Sequence, residues 1–146
     1  HCERDNRLLA CRSFPFYPYM TKDGEFVGLS YYWHFEDTCW VISNLQIVEQ
    51  AFIDEFVKTF DLLLDVDEGE YAAFHEQSAQ MRRVFSRRGE ILPLIGRDGA
   101  LLKVLPKSGG KIEHATLKEF KKYGPYVSEK AYAKAKKEAE ALHAAD

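Results

Sequence analysis

The residues of this chain best equipped for proton transfer, nucleophilic attack or metal binding are its five histidines and three cysteines. His34-Phe35-Glu36 matches the H-x-E half of a zinc-deaminase signature, in which the histidine holds the metal and the glutamate moves the proton. Nothing downstream supplies the paired thiolates that complete such a site, so this reading is rejected. Cys39 with His34 or His75 would make a thiolate–imidazole pair if the fold brought them together, since that chemistry needs proximity and no fixed spacing. His34, Glu36, Cys39 and His75 are therefore the candidates if the chain is a small enzyme. Cys2, Cys11 and Cys39 have no C-x-x-C spacing, which excludes a zinc site of several thiolates. Reduced thiols are the simplest expectation, and a single bridge would need an oxidising compartment.

Carboxylates offer a second chemistry. Asp61, Asp65, Asp67, Glu68 and Glu70 form an acidic run, but Gly69 falls at the fifth loop position, where a calcium loop needs an oxygen ligand. A solvated loop feeding a helix N-terminus accounts for the run, because carboxylates there complement the helix dipole. Gly109-Gly110-Lys111 lacks the preceding glycine and the Ser or Thr of a phosphate loop. No nucleophile elbow, dinucleotide fingerprint or H-E-x-x-H is present. No catalytic residue, metal or cofactor is therefore expected.

Charge is the more informative pattern. Residues 1–70 carry five basic and fourteen acidic side chains, a net of −9, whereas residues 71–146 carry fifteen and nine, a net of +6. Within the basic band from Arg82 to Lys137, Arg83 and Arg87 lie one helical turn apart, opposite the Phe74, Met81 and Phe85 stripe. Arg83, Arg87, Arg88, Lys121, Lys122, Lys130 and Lys134 are the candidate binding residues, able to track phosphates if their elements fold to one side. The competing reading is a solvated face, or pairing with the acidic half. A pI near 6.0 lacks the domain-wide basicity of a nucleic-acid binder. Aromatic residues crowd the first 40 positions, and Phe26, Tyr32 and His34 are the candidates for an exposed face able to stack bases or anchor a protein. Core packing is the plainer explanation, and the aromatics stand in the acidic half, away from the lysines.

These residues need elements to position them. Leu8 to Ile42 reads as β: Thr21-Lys22-Asp23-Gly24 is a hairpin turn, and Val27, Leu29, Tyr31, Trp33 and Phe35 alternate onto one face. Cys39–Ile42 would add a third strand, and Pro15 and Pro18 place the first strand at an edge or bulge it around them. Ser43 opens a capping box for a helix through Leu45, Phe52, Phe56 and Phe60 to about Leu64. The acidic loop Asp65–Gly69 separates it from a second helix through Phe74, Ser78, Met81 and Phe85, which Gly89 ends. Ile91–Ile95 and Leu101–Leu105 flank Gly96-Arg97-Asp98-Gly99 as a second hairpin, with Pro93 favouring an edge, and Pro106–Gly110 is a flexible connector. Thr116 opens a short helix stopped by Gly124-Pro125, and Ser128 caps a lysine-rich helix to about His143. That pair has the shape of a DNA-binding helical hairpin.

The pattern predicts a single α+β domain over residues 1–146: an N-terminal antiparallel sheet of about three strands packed by two amphipathic helices, a second hairpin, and two C-terminal helices, with 126–146 a protruding basic tail. Apolar residues make up 46% of the chain, enough for a packed core without staples. No run approaches the roughly 20 apolar residues of a membrane span. The chain opens on His1 rather than Met, the start expected of a fragment or processed form. A soluble, intracellular, non-catalytic protein-binding module is the leading expectation: an inhibitor, adaptor or accessory subunit whose partner is another protein. Nucleic-acid binding through the basic band is the alternative, and a small enzyme the third.

Overall fold

Asp23-Gly24 makes the first turn that the sequence anticipates. Gly24 takes φ +84°, and its N–H donates to the Thr21 carbonyl at 3.0 Å. A positive φ costs glycine little, which is why it sits there. In the computed structural model, which describes residues 8–145, this turn joins β1 (Phe16–Met20) to β2 (Phe26–Tyr31), with Pro18 opposite Leu29. As expected, β1 is an edge strand, where a proline removes no second ladder bond.

The fold is α+β: a five-stranded antiparallel sheet in the order β1-β2-β3-β4-β5 with four α-helices among the described residues. Several boundaries differ from expectation. Leu9–Ser13 is a short helix, α1, in place of the start of a strand. The period-two run stops at Tyr31, because Trp33–Phe35 and Trp40–Ser43 turn into 3-10 helices; Cys39–Ile42 therefore makes no third strand. Gly28 and Ser30, on the opposite face from Leu29 and Tyr31, are buried too, so both faces of β2 are covered.

Helix α2 (Gln50–Val66) starts seven residues after Ser43. The Ser43 hydroxyl accepts instead from the Tyr123 N–H at 3.0 Å, a partner eighty positions away that no local rule reveals. The expected acidic loop shrinks to Asp67, whose carboxylate accepts from the Glu70 N–H and caps α3 (Glu68–Arg88). Gly89 ends α3 in the left-handed region at φ +67°, as anticipated. Strands β3 (Leu92–Gly96) and β4 (Leu101–Val104) form the second hairpin. They do not stand apart: β3 pairs with β2 through Gly28 opposite Gly96 and Leu29 opposite Ile95, merging both hairpins into one sheet. Strand β3 is thus internal, and Pro93 is tolerated because its pairing with β2 ends at Ile95.

A fifth strand, β5 (Ile112–His114), pairs with β4, where the sequence offers only a connector followed by Lys111. Thr116 does form a capping box, yet it starts only a 3-10 turn, Leu117–Glu119, followed by another at Gly124–Val127. The helical hairpin therefore has one helix, α4 (Glu129–Ala145), with the Ser128 hydroxyl accepting from the Ala131 N–H. In the core, Phe52 and Phe56 of α2 meet Phe16 and Phe26, while Phe74 and Phe85 of α3 meet Tyr17 and Tyr31. Of the N-terminal aromatics, Phe16, Tyr17, Tyr19 and Tyr31 are buried in the core, Phe26, Tyr32 and Trp33 pack half-buried against it, and Phe14, Phe35 and Trp40 are exposed. No helix among the described residues is long and apolar enough to cross a membrane.

Candidate anion-binding groove

Three segments distant in sequence meet beside α3. Lys22 comes from the β1–β2 turn; His75, Arg82, Arg83 and Ser86 lie on α3; Lys107, Ser108, Gly109 and Gly110 come from the β4–β5 loop. Together with Ala79, Val104 and Leu105 they line a groove of about 390 Å³. No carboxylate is among the lining residues. Arg82 is held in place: one guanidinium nitrogen donates to the Tyr19 hydroxyl at 2.9 Å and to the Met20 carbonyl at 2.7 Å, over the Tyr19 ring. His75 Nε2 lies 3.1 Å from the Lys22 carbonyl, tying the turn to the helix. The loop is tied as well, since the Lys107 N–H donates to Ser86 Oγ at 3.2 Å.

Elsewhere Arg88, Arg97, Lys103 and Lys121 of the basic band are paired with carboxylates. Arg88 reaches both oxygens of Glu36 at 2.9 and 3.0 Å, and Lys121 reaches Glu90 at 2.9 Å. Burial raises the Glu36 carboxyl above its ordinary value, against the pull of Arg88. Burial pushes Glu90 the same way, but Lys121, Tyr123 and Arg88 outweigh it and hold that carboxyl below its ordinary value. Arg97 forks onto Asp61 with two contacts of 2.7 Å and lies over the Phe26 ring; its hydrogen bonds lower the Asp61 carboxyl. Lys103 pairs with Glu119.

Of the seven basic candidates, Arg83 alone lines the groove, where Glu76 pairs with it at 2.8 Å. Arg87 donates weakly to the Arg83 carbonyl. Arg88 and Lys121 belong to the Glu36–Glu90 cluster, and Lys122 is exposed beside it in sequence. Lys130 and Lys134 sit on α4 with Lys137, around a shallow depression. The seven do not converge on one surface. Nor do Phe26, Tyr32 and His34 share a sheet face: Tyr32 follows the end of β2 and packs on Tyr17, while His34 stacks on Trp33 in a 3-10 turn. Lys22 and Lys107 were outside the candidate set, and only the Gly109-Gly110 pair beside Lys107 hinted at a loop built for close approach.

Among the enzyme candidates, His75 is held far from Glu36. Glu36 is engaged with Arg88 and His75 with the Lys22 carbonyl; along α3 the two contacts are thirteen residues apart, about 20 Å at 1.5 Å per residue. Cys11 and Cys39 are free thiols, and Cys2 lies outside the described residues. Among the described residues no three His, Cys, Asp or Glu side chains are grouped to hold a metal ion. Comparison with protein-family models, curated proteins and solved structures finds no match.

Proposed function

We propose that this protein is a non-catalytic binding module whose partner is another protein, engaged through α4. The observation that carries this reading is a seventeen-residue helix with no buried residue. Most helices in proteins draw their stability from packing an apolar face, whereas α4 relies on the propensity of its Ala, Lys and Glu residues and the weak Lys134–Glu138 pair. Its root is nevertheless held. The Tyr123 N–H donates to Ser43 Oγ, the Tyr126 hydroxyl donates to the Thr38 carbonyl at 3.2 Å, and Tyr126 packs near Tyr132. Such a helix is presented at a defined place, with the half-buried Ala131 and Ala135 toward the Gly124–Val127 turn and the rest of its surface open to a partner. Lys130, Lys134, Lys136 and Lys137 favour an acidic protein surface. A nucleic-acid partner is the weaker reading, because Arg88, Arg97, Lys103 and Lys121 are already paired with carboxylates.

The test is affinity capture from extract with the intact chain and with a variant carrying alanine at Lys130, Lys134, Lys136 and Lys137. Exposed pairs contribute about 0.2–1 kcal/mol each, so the loss of four should weaken binding about fourfold or more. Undiminished capture by the variant would remove α4 from the interface.

A further inference from the structure

We propose that the groove beside α3 binds a ligand carrying a linear chain of two or three phosphates, independently of α4. The first argument is charge. Lys22, Arg82, Arg83 and Lys107 line a groove of about 390 Å³, within the range of about 300–1,000 Å³ usual for small-ligand sites. Among the described residues, Glu76, which pairs with the rim residue Arg83, is the one carboxylate paired with any of the four. Gathered cations with a single counter-ion create a field that an anion relieves.

The second argument is the set of neutral donors. Gly109 and Gly110 take φ +74° and +90°, and their amides donate to no other described residue. Consecutive amides in such a loop form a concavity that suits phosphate oxygens. Ser108 lines the same groove, and its hydroxyl is screened from solvent with no hydrogen-bond partner. A buried unpaired hydroxyl is costly, and a phosphate oxygen would satisfy it once the Ser108 side chain turns toward the groove. Gly110 borders both cations, since a Cβ there would lie in ordinary contact, 3.5 Å from the Arg82 and Lys22 side chains, and its φ of +90° is what favours glycine. Preorganisation is the third argument, since Arg82 is fixed through Tyr19 and Met20, so little freedom is lost when it meets an anion.

The lining has no Phe, Tyr or Trp ring, which removes the stacking platform that single-stranded nucleic acid requires. The chemistry recognised is the phosphate chain itself, whether free or attached to a nucleoside. Isothermal titration of the full chain with sodium tripolyphosphate and with pyrophosphate, against sodium sulfate at matched ionic strength, tests this. One saturable site is expected, tighter for tripolyphosphate than for pyrophosphate, with a raised melting temperature. The Lys22→Gln/Lys107→Gln variant should bind at least tenfold more weakly while keeping its circular dichroism, and the α4 alanine variant should bind like the parent. A nucleoside triphosphate binding like tripolyphosphate would identify the chain alone as the ligand, and tighter binding would identify a nucleotide. A response no different from sulfate, undiminished binding by the Lys22/Lys107 variant, or loss of binding in the α4 variant would overturn the proposal. So would oligonucleotide binding that tripolyphosphate does not displace.

Discussion

Arg88 and Glu36 form the residue-scale contact on which most depends. The Glu36 side chain is 8% exposed and Arg88 34% exposed, so removing the arginine strands a carboxylate that water scarcely reaches. Breaking a fully buried pair costs about 3–5 kcal/mol. Partial exposure of Arg88 reduces this, and Arg88→Ala should cost about 2–3 kcal/mol near pH 7. Because burial raises the folded pKa of Glu36, the stability linked to its proton is complete below the ordinary carboxylate value and is lost as pH rises through the raised one. Without Arg88 the raised value climbs further, so the penalty should shrink on lowering the pH to about 5. Urea unfolding of parent and variant at both pH values measures this, and an equal penalty at both would refute it. The pairing of basic and acidic halves was legible as one reading of the charge split, but the identity of the partners was not. Glu36 sits in a stretch read as a turn between strands, and nothing local marks it as the counter-ion of a residue fifty-two positions later.

At the scale of elements, the junction between the two hairpins is the point most sensitive to change. A Cβ on Gly28 would lie 2.2 Å from the Ile95 carbonyl oxygen and 3.1 Å from the Gly96 Cα, and both obstacles are backbone. Gly28→Ala should therefore push β2 from β3 and lose about 2–4 kcal/mol, in the range of severe steric lesions. Chemical denaturation together with faster amide exchange at Gly28 and Ile95 would register it; unchanged exchange would mean that the strands accommodate a methyl. What the sequence made readable here was local. Gly24, Gly89 and Gly99 mark turns because each needs a positive φ, and the stripes of α2 and α3 repeat at helical spacing. The junction was hidden because its partners are separated by both helices. Ser43 misled for a related reason: a side chain that could cap a helix was taken by Tyr123. Lys22 and Lys107 share the groove only because the β1–β2 turn and the β4–β5 loop both pack on α3, whereas Arg83 could be placed on an exposed helix face from spacing alone.

At the scale of the whole molecule, the ion pairs Glu36–Arg88 and Asp61–Arg97 join the acidic first half to the basic second half. The cations of α4 take no part in that docking. Trypsin under native conditions should therefore cut first at Lys130, Lys134, Lys136 or Lys137, leaving a fragment that keeps its near-ultraviolet dichroism and its melting temperature. Early cleavage at Arg82, which is tied to Tyr19 and Met20, would instead show that the body opens as readily as the helix. The Gly28–Gly96 pairing has a further consequence for how the chain is made. During synthesis β2 emerges sixty-eight residues before the strand that covers it, an interval of about 3–14 s at 5–20 residues per second. For that time the nascent chain presents an unpaired strand edge, and Glu36 and Asp61 are still without Arg88 and Arg97. The net charge of −9 on residues 1–70 opposes edge-to-edge pairing of two such chains, so the isolated first half should aggregate more readily at high salt than at low.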